Sequence, residues 1–271
     1  MNSFHTFEHA SCPVVVAGQV TLVGAGPGDP EQLTLKAIRA IGAATFLLVD
    51  DLVNEAVLQY AGPRARIVRV GKRGGKVSTS QAFIDSLMVK AAKEGESVVR
   101  LKGGDPLVFG RGGEEMEYLR AHGIQVNVVN GISAGLSSAS ALGVALTHRE
   151  KAHGVVFVTG HAKPGGEEVD WSVLARTAHH IGLTLVIYMG VANAATIQAG
   201  LLQGLTPDTP AAIVQNASHP EERHAVCRLA DLCATLTREA LSSPSVIVVG
   251  DVLAGLAQVS AVTPSYTRYA A

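Results

Sequence analysis

The chain has 271 residues, 47% hydrophobic and 17% charged, which excludes a disordered tail or a fibre and predicts a packed protein of one large or two ordinary domains. A net charge of −1 lacks the basic surplus of a general nucleic-acid-binding protein. The three cysteines form no CxxC and the histidines form no HExxH pair, so a reduced cytoplasmic protein without a metal is predicted.

The N-terminal residues 1–16 are predicted to be a loose tail. Met1 to Cys12 contains no Lys or Arg, and Gly18 interrupts the apolar stretch that follows, so a secretion signal is disfavoured. Residues 181–207 contain no charged side chain and are long enough for a membrane span. They divide into a strand-like part and a helix-like part with polar amides, which favours a buried α/β core and no membrane association.

Apolar strand runs alternate with helical patterns through the first half of the chain. The strands begin near Val20, Phe46, Ile67, Val98 and Val126, and a helical pattern follows each one. Unbroken apolar runs in this order predict a mostly parallel sheet with helices on both faces. We assign residues 17–148 to an N-terminal α/β domain.

Further strand runs occur in the second half, at 155–159, 183–189, 211–215 and 246–249, with a short extended run at 224–228 for an antiparallel strand. They predict a second α/β domain over 149–255, followed by a tail at 256–271. Both sheets are expected to be mostly parallel, with the active-site cleft between the two domains.

A glycine turn follows the first strand in the sequence Gly24-Ala-Gly-Pro-Gly-Asp-Pro30. Its third glycine comes two residues after the second, whereas the dinucleotide fingerprint requires three. Asp29 and Pro30 suit the N-cap and first position of a helix, and a carboxylate there would repel a pyrophosphate. The turn therefore disfavours a nucleotide-binding oxidoreductase, although a turn without any ligand is also possible on these residues.

Three other loops carry residues suited to chemistry. Lys102-Gly-Gly-Asp-Pro106 leaves a strand, and its glycines allow a ligand close to the backbone, with Asp105 available to an amine or a ribose. Asp50 and Lys72 lie at strand ends, where charged groups usually face a cleft. Basic side chains would gather if the loops converge, although each alone also fits a solvated surface charge: Lys72, Arg73, Lys102, Arg111, His148 and Arg149.

Together these segments resemble the tetrapyrrole methylase family, in particular its members that methylate uroporphyrinogen III. The resemblance runs from about Gln19 to about Leu253. The segments that carry it are Gly24–Pro30, Val70-Gly-Lys-Arg-Gly74, Leu101–Glu114, Val144–Arg149, Val158-Thr-Gly-His161, Ile187-Tyr-Met-Gly190 and Val248-Val-Gly-Asp251.

The resemblance implies the tetrapyrrole methylase fold and a C-methyltransferase of sirohaem and cobalamin biosynthesis, with S-adenosylmethionine as co-substrate and S-adenosylhomocysteine as product. It assigns an acid/base pair to Asp50 and Lys72, and the acidic tetrapyrrole suits Arg73, Arg111 and Arg149. It also implies a homodimer. The donor site implied by the family comprises Pro27, Gly103, Gly104, Asp105, Val108, Ser133, Ala134, Met189 and Ala217.

The sequence departs from the family pattern at three places. Val77 stands where histidine is common, Asn130 replaces a proline, and Ala217-Ser218 replaces a Gly-Thr pair. Val77 leaves open a methyltransferase acting on a later corrin precursor, whereas the intact Gly71-Lys-Arg73 and Gly110-Arg-Gly-Gly-Glu-Glu115 segments argue against it. A ligand-binding regulator without catalysis is a further alternative, distinguished by whether methyl transfer occurs.

Overall fold

A five-stranded parallel sheet organises the first half of the chain in the computed structural model, which describes residues 15–71, 79–161 and 165–256. The strands are β1 (Val20–Gly24), β2 (Phe46–Val49), β3 (Arg66–Arg69), β4 (Val98–Lys102) and β5 (Val126–Val129). They lie in the order β3-β2-β4-β1-β5, and each neighbouring pair is parallel. The parallel sheet predicted for this half is confirmed.

Helices cover both faces of this sheet. α1 (Leu35–Ala43) begins at Thr34, whose hydroxyl caps the amide of Ala37, and packs in one apolar core with Val99 and Leu101. α2 (Gln81–Lys93) and α3 (Gly112–Ala121) pack on the opposite face in a second core. Alternate residues of β4 therefore face different cores, as the two-residue period of a strand requires. The helical pattern after Asn54 forms a 3-10 helix, Glu55–Tyr60.

The second half of the chain forms a mixed sheet, so the expectation of a mostly parallel sheet is wrong there. Its strands are β6 (Gly154–Thr159), β7 (Leu183–Tyr188), β8 (Pro210–Gln215), β9 (Arg223–Arg228) and β10 (Ser245–Val249), in the order β6-β7-β10-β8-β9. Only β6 and β7 pair in parallel. β10 inserts between β7 and β8 and runs antiparallel to both, and its apolar run carries no information about direction because it is buried throughout.

The α-helices that accompany the second sheet in the described residues are α4 (Ala134–Leu142), α5 (Trp171–Ile181), α6 (Ala194–Leu201) and α7 (Leu232–Arg238). The chain divides into compact units between Ile132 and Ser133, whereas the sequence analysis placed the division after residue 148. The difference arises because α4 packs against β7, β8 and β10. Within the described ranges, no helix combines the length and apolarity that crossing a membrane requires.

Candidate active site

Three glycines bring the loops after β1, β4 and β5 into backbone contact at the carboxyl edge of the first sheet. A Cβ on Gly24 would lie 2.6 Å from the carbonyl oxygen of Gly104, and a Cβ on Gly131 would also collide with that oxygen. Gly104 has a φ of +67°. Its amide donates to the carbonyl of Gly26 at 2.7 Å, so the two loops are hydrogen-bonded. Gly24 and Gly104, which the sequence analysis singled out, thus let these loops meet together with Gly131.

The Gly24–Pro30 turn ends in the cap predicted for it. Asp29 Oδ1 accepts the amide of Glu31 at 2.8 Å, and Pro30 follows as the first helical residue. The helix is a single 3-10 turn, Pro30–Gln32, and not an α-helix. A dinucleotide site uses an α-helix N-terminus for the pyrophosphate, and here a carboxylate occupies the cap instead.

Asp105 braces its own loop with both carboxylate oxygens. Oδ1 accepts the amide of Leu107 at 2.7 Å, whereas Oδ2 accepts the side chain of Asn130 at 3.0 Å and the amide of Gly131 at 3.1 Å. The residue is 6% exposed. Asn130, one of the departures from the family pattern, therefore has a structural role as a donor to Asp105. Both carboxylate oxygens of Asp105 are thus engaged by its own loop and by the loop after β5.

Asp50 follows β2 and lies partly exposed at the same edge. Its Oδ1 accepts from Nη2 of Arg100 at 3.1 Å. Lys102 is 4% exposed and its Nζ lies 3.1 Å from Oε1 of Glu115, so it is not a free basic group at the surface. Burial lowers the pKa of Lys102. Lys72 and Arg73 lie outside the described residues.

The remaining candidates of the first unit lie on loops. Pro27 and Val108 are half-buried, after β1 and β4. Arg111 stands at the N-cap of α3 with a φ of 58° and an exposed side chain. Its Nη2 lies 2.6 Å from Oε2 of Glu114, and hydrogen bonds with Glu114 raise the pKa of the guanidinium.

In the second unit, Tyr188 joins two groups of candidate donor-binding residues. Its hydroxyl lies 2.7 Å from Oγ of Ser133 and accepts the amide of Gly135 at 2.8 Å. Ser133 is the N-cap of α4 and makes no side-chain cap of its own, so Tyr188 supplies the acceptor for this helix end. Met189, the next residue, is 48% exposed and has a φ of 54°. Ser133, Ala134 and Met189 are therefore held near one another through Tyr188.

Ala217 lies at the same edge of the second sheet as Met189, because β7 and β8 run in the same direction on either side of β10. Asn216 and Ser218, its neighbours, have φ values of 52° and 63°. Non-glycine residues in this conformation are strained and cluster at ligand sites. Arg149 is exposed in the turn between His148 and Ala152.

Three residues of these sites were missed by the sequence reasoning. Arg100 lies inside residues 98–101, which the sequence predicts as an apolar strand, although a charge at a buried strand position requires a partner. Glu115 was taken only as part of a glycine-rich segment. Tyr188 was quoted within a matching segment, and its role depends on a contact with α4 that local sequence does not encode.

Comparison with known proteins places this geometry in a family. Residues 19–233 match the sequence pattern of the family described as Tetrapyrrole (Corrin/Porphyrin) Methylases. Uroporphyrinogen-III C-methyltransferase of Pseudomonas aeruginosa is 52% identical over 88% of this chain and 95% of its own length. A siroheme synthase of Actinobacillus pleuropneumoniae is 47% identical over 88% of this chain, which spans 48% of that larger protein.

A solved structure agrees with the sequence relatives. The uroporphyrin-III C-methyl transferase of Thermus thermophilus, complexed with S-adenyl homocysteine, has a TM-score of 0.73 and 41% identity. The match covers 88% of this chain and 99% of that one. The chain belongs to the tetrapyrrole methylase family, and the predicted fold class is confirmed.

Proposed function

We propose that the protein transfers two methyl groups from S-adenosylmethionine to C-2 and C-7 of uroporphyrinogen III. The product is precorrin-2, formed by way of precorrin-1, and S-adenosylhomocysteine is released. The observation that carries this proposal is the 52% identity to a uroporphyrinogen-III C-methyltransferase over nearly the whole of both chains. The reaction belongs to sirohaem and cobalamin biosynthesis.

The methyl donor supplies an electrophilic methyl group, and the loops of this chain have features that suit binding it. Gly103 and Gly104 carry no Cβ, and Gly104 has the left-handed conformation, so a ligand can approach the backbone of this loop closely. Pro27 and Val108 flank that loop, and Asp105 acts by bracing it. In the second unit, the strained backbone at Met189 and around Ala217, with Ser133 and Ala134 beside Tyr188, supports their assignment to the same donor.

Asp50 and Lys72 are proposed as the groups that move protons. A pyrrole carbon attacks the methyl group, and the ring must then lose or relocate a proton, which requires a positioned base and acid. The half-buried position of Asp50 at the strand edge is consistent with a base that contacts substrate.

The substrate is a polycarboxylate, so cationic side chains are needed to hold it. Arg73, Arg111 and Arg149 are proposed for this role because a guanidinium can bind a carboxylate through two hydrogen bonds. Arg111 and Arg149 are exposed on loops of the two units. We further propose a cytoplasmic homodimer, for which light scattering of the purified protein gives the direct test.

An anaerobic assay tests the proposed reaction. The purified protein is mixed with uroporphyrinogen III and S-adenosylmethionine, and the product is followed by absorbance and mass. Because each methyl group replaces a proton, we expect a mass increase of two CH2 units and the release of two molecules of S-adenosylhomocysteine per tetrapyrrole. Methylation of a later corrin precursor but not of uroporphyrinogen III would identify the alternative methyltransferase, and the absence of any transfer would identify a binding protein.

Substitution of Asp50 tests its role in proton transfer. Asp50→Asn keeps the shape of the side chain and should lower turnover by roughly 100-fold, the usual scale for a general acid or base, with unchanged affinity for S-adenosylhomocysteine. Asp51→Asn is the matched control, since Asp51 is the exposed neighbouring carboxylate. A large loss in Asp51→Asn with full activity in Asp50→Asn would move the role to Asp51.

A further inference from the structure

Arg100 places a charged side chain in the interior of the first sheet. It lies in the middle of β4, between Leu22 of β1 and Leu48 of β2, and is 2% exposed. Because Leu48 and Asp50 point to the same face of the sheet, Arg100 and Asp50 are diagonal neighbours on adjacent strands. This position explains why Nη2 of Arg100 reaches Oδ1 of Asp50 at 3.1 Å.

Glu115 of α3 anchors the other side of the guanidinium. Its Oε1 accepts from Nε of Arg100 at 3.2 Å, from Nζ of Lys102 at 3.1 Å and from Nε2 of Gln81 at 3.1 Å. Glu115 is 0% exposed. Arg100 is thus fixed at Nε by a buried carboxylate, and its Nη2 is directed at Asp50.

Asp50 is one of the two carboxylates that contact Arg100 in this cluster. Arg100 and Lys102 are two buried cations, and Glu115 is a single buried carboxylate that serves both. Buried charges are costly unless they are paired. The carboxylate of Asp50 gives Arg100 a second carboxylate partner, so this cluster holds the Asp50 side chain in place. Asp85 borders the cluster through Gln81, and burial raises its pKa.

Within the described part of the chain, the two oxygens of the Asp50 carboxylate differ in their contacts. Among the residues that the structure describes, Oδ1 has a hydrogen-bond partner and Oδ2 has none. The side chain of Asp50 is 31% exposed, whereas that of Arg100 is 2% exposed. Arg100 therefore holds the carboxylate from within the sheet, and Oδ2 remains for a group outside it.

We propose that Arg100, anchored by Glu115, is a positioning residue that orients the Asp50 carboxylate for proton transfer during methylation. The inference rests on the proposed function and deepens it, since Arg100 acts only through Asp50. If Arg100 only stabilised the fold, its substitution would lower kcat to the same extent with and without Asp50.

A double-mutant cycle separates the two roles. Arg100→Lys keeps the positive charge but cannot hold Glu115 and Asp50 at once with a planar fork. In the wild-type background we expect kcat to fall about tenfold, with unchanged affinity for S-adenosylhomocysteine and an unchanged KM for the tetrapyrrole. In the Asp50→Asn background the same substitution should change kcat less than about twofold, because the group it positions is gone.

Arg69→Lys is the matched control. Arg69 lies on β3 of the same sheet and bonds Glu55 through Nε at 2.9 Å and Nη2 at 2.6 Å, in an exposed pair. It should leave kcat unchanged in both backgrounds. Should Arg100→Lys not fold, Glu115→Gln, which loosens the anchor at Nε, is put through the same cycle with the same expected pattern.

Each outcome has one meaning. An equal loss of kcat from Arg100→Lys with and without Asp50, or a loss accompanied by weaker donor binding, would overturn the positioning role and leave a structural cluster. A wild-type protein that transfers no methyl group fails the proposed function instead. Full activity of Asp50→Asn would remove the role of Asp50 and the inference with it.

Discussion

Arg111 carries its charge at the surface, where Glu114 is its partner. The two side chains are 53% and 61% exposed, and exposed pairs contribute about 0 to 1 kcal/mol. A carboxylate of the substrate can therefore replace that of Glu114 at little cost. The left-handed backbone at Arg111 and the glycines after it place the guanidinium at the start of α3.

Charge reversal at this position tests the proposed contact with substrate. Arg111→Glu should raise KM for uroporphyrinogen III at least about tenfold, corresponding to ~1.4 kcal/mol, while donor affinity stays unchanged. Added salt should weaken tetrapyrrole binding more in the wild type than in the variant. Arg120→Glu, at the far end of α3, is the control. A variant with the wild-type KM and salt dependence would shift the contact to Arg73 or Arg149.

Asp85 illustrates the cost of an acid buried among helices. Burial raises the pKa of Asp85, with Gln81 acting in the opposite direction. The pKa of Asp85 is therefore higher in the folded state than in the unfolded state. Its contribution to stability is fully present at a pH below the unfolded-state pKa, and it is lost as the pH rises through the folded-state pKa. Once ionised, the side chain therefore destabilises the fold.

Asp85→Asn should remove that cost while its amide oxygen still accepts from Gln81. We expect Tm to rise at pH 7 by about 2 to 4 °C, the shift produced by about 1 kcal/mol in a chain of this size, and the gain to shrink as pH falls through the folded pKa. Thermal unfolding at several pH values measures it. Asp170→Asn, at an exposed cap whose pKa is lowered first by Ser172, should give no gain. A pH-independent gain would contradict the titration of Asp85.

Tyr188 acts at the scale of elements, since it links the end of β7 to the start of α4. A Cβ on Gly135 would collide with its hydroxyl, so a glycine is needed for this close approach. The hydroxyl serves a buried amide and a buried serine, and an unsatisfied buried amide costs about 1 to 3 kcal/mol. The backbone at Ser133, Ala134 and Met189 thus depends on one phenol.

Tyr188→Phe should therefore weaken S-adenosylhomocysteine binding about tenfold, with a moderate loss of Tm. Calorimetry of the purified variant provides the affinity. Tyr118→Phe is the control, because the Tyr118 hydroxyl has no hydrogen-bond partner among the described residues. Unchanged affinity in Tyr188→Phe would separate this helix end from the donor site.

Sequence alone predicted the elements better than their arrangement. The parallel sheet of the first unit followed from β-then-α order, and the antiparallel strand near His224 followed from a short extended run. The direction of β10 could not be predicted, because a fully buried strand is apolar in either orientation. The packing of α4 with the second unit could not be predicted either, because its partner strands come later in the chain.

Local sequence likewise predicted some features of the candidate site and not others. Glycines and capping residues act over a few neighbours, so Asp29 and the Gly103–Gly104 pair were recognisable from local sequence. Arg100, Glu115 and Tyr188 act through contacts between distant segments, which no local pattern specifies. The assignments of individual site residues stay predictions for the substitutions above to test.

At the scale of the whole molecule, backbone features of each compact unit indicate which class of ligand the protein binds. The first unit has a carboxylate cap at Asp29 and a 3-10 turn in place of an α-helix terminus, and neither attracts a pyrophosphate. Its loops meet through glycine backbones at Gly24, Gly104 and Gly131. The second unit adds strained backbone at Met189 and beside Ala217. These features favour a nucleoside donor without phosphate over a dinucleotide.

Thermal unfolding with added ligand tests this choice. A ligand that binds only the folded chain stabilises it by about 2.7 kcal/mol at a hundred times its Kd, which corresponds to a rise in Tm of roughly 5 to 10 °C for a chain of this size. S-adenosylhomocysteine should give such a rise, and NAD at equal concentration should give none. Adenosine alone serves as the control for a contribution from the nucleoside. Because both compounds carry an adenosine group, a rise with NAD alone would mean that a site for pyrophosphate exists elsewhere on the chain, and the assignment of the glycine loops to a methyl donor would be wrong.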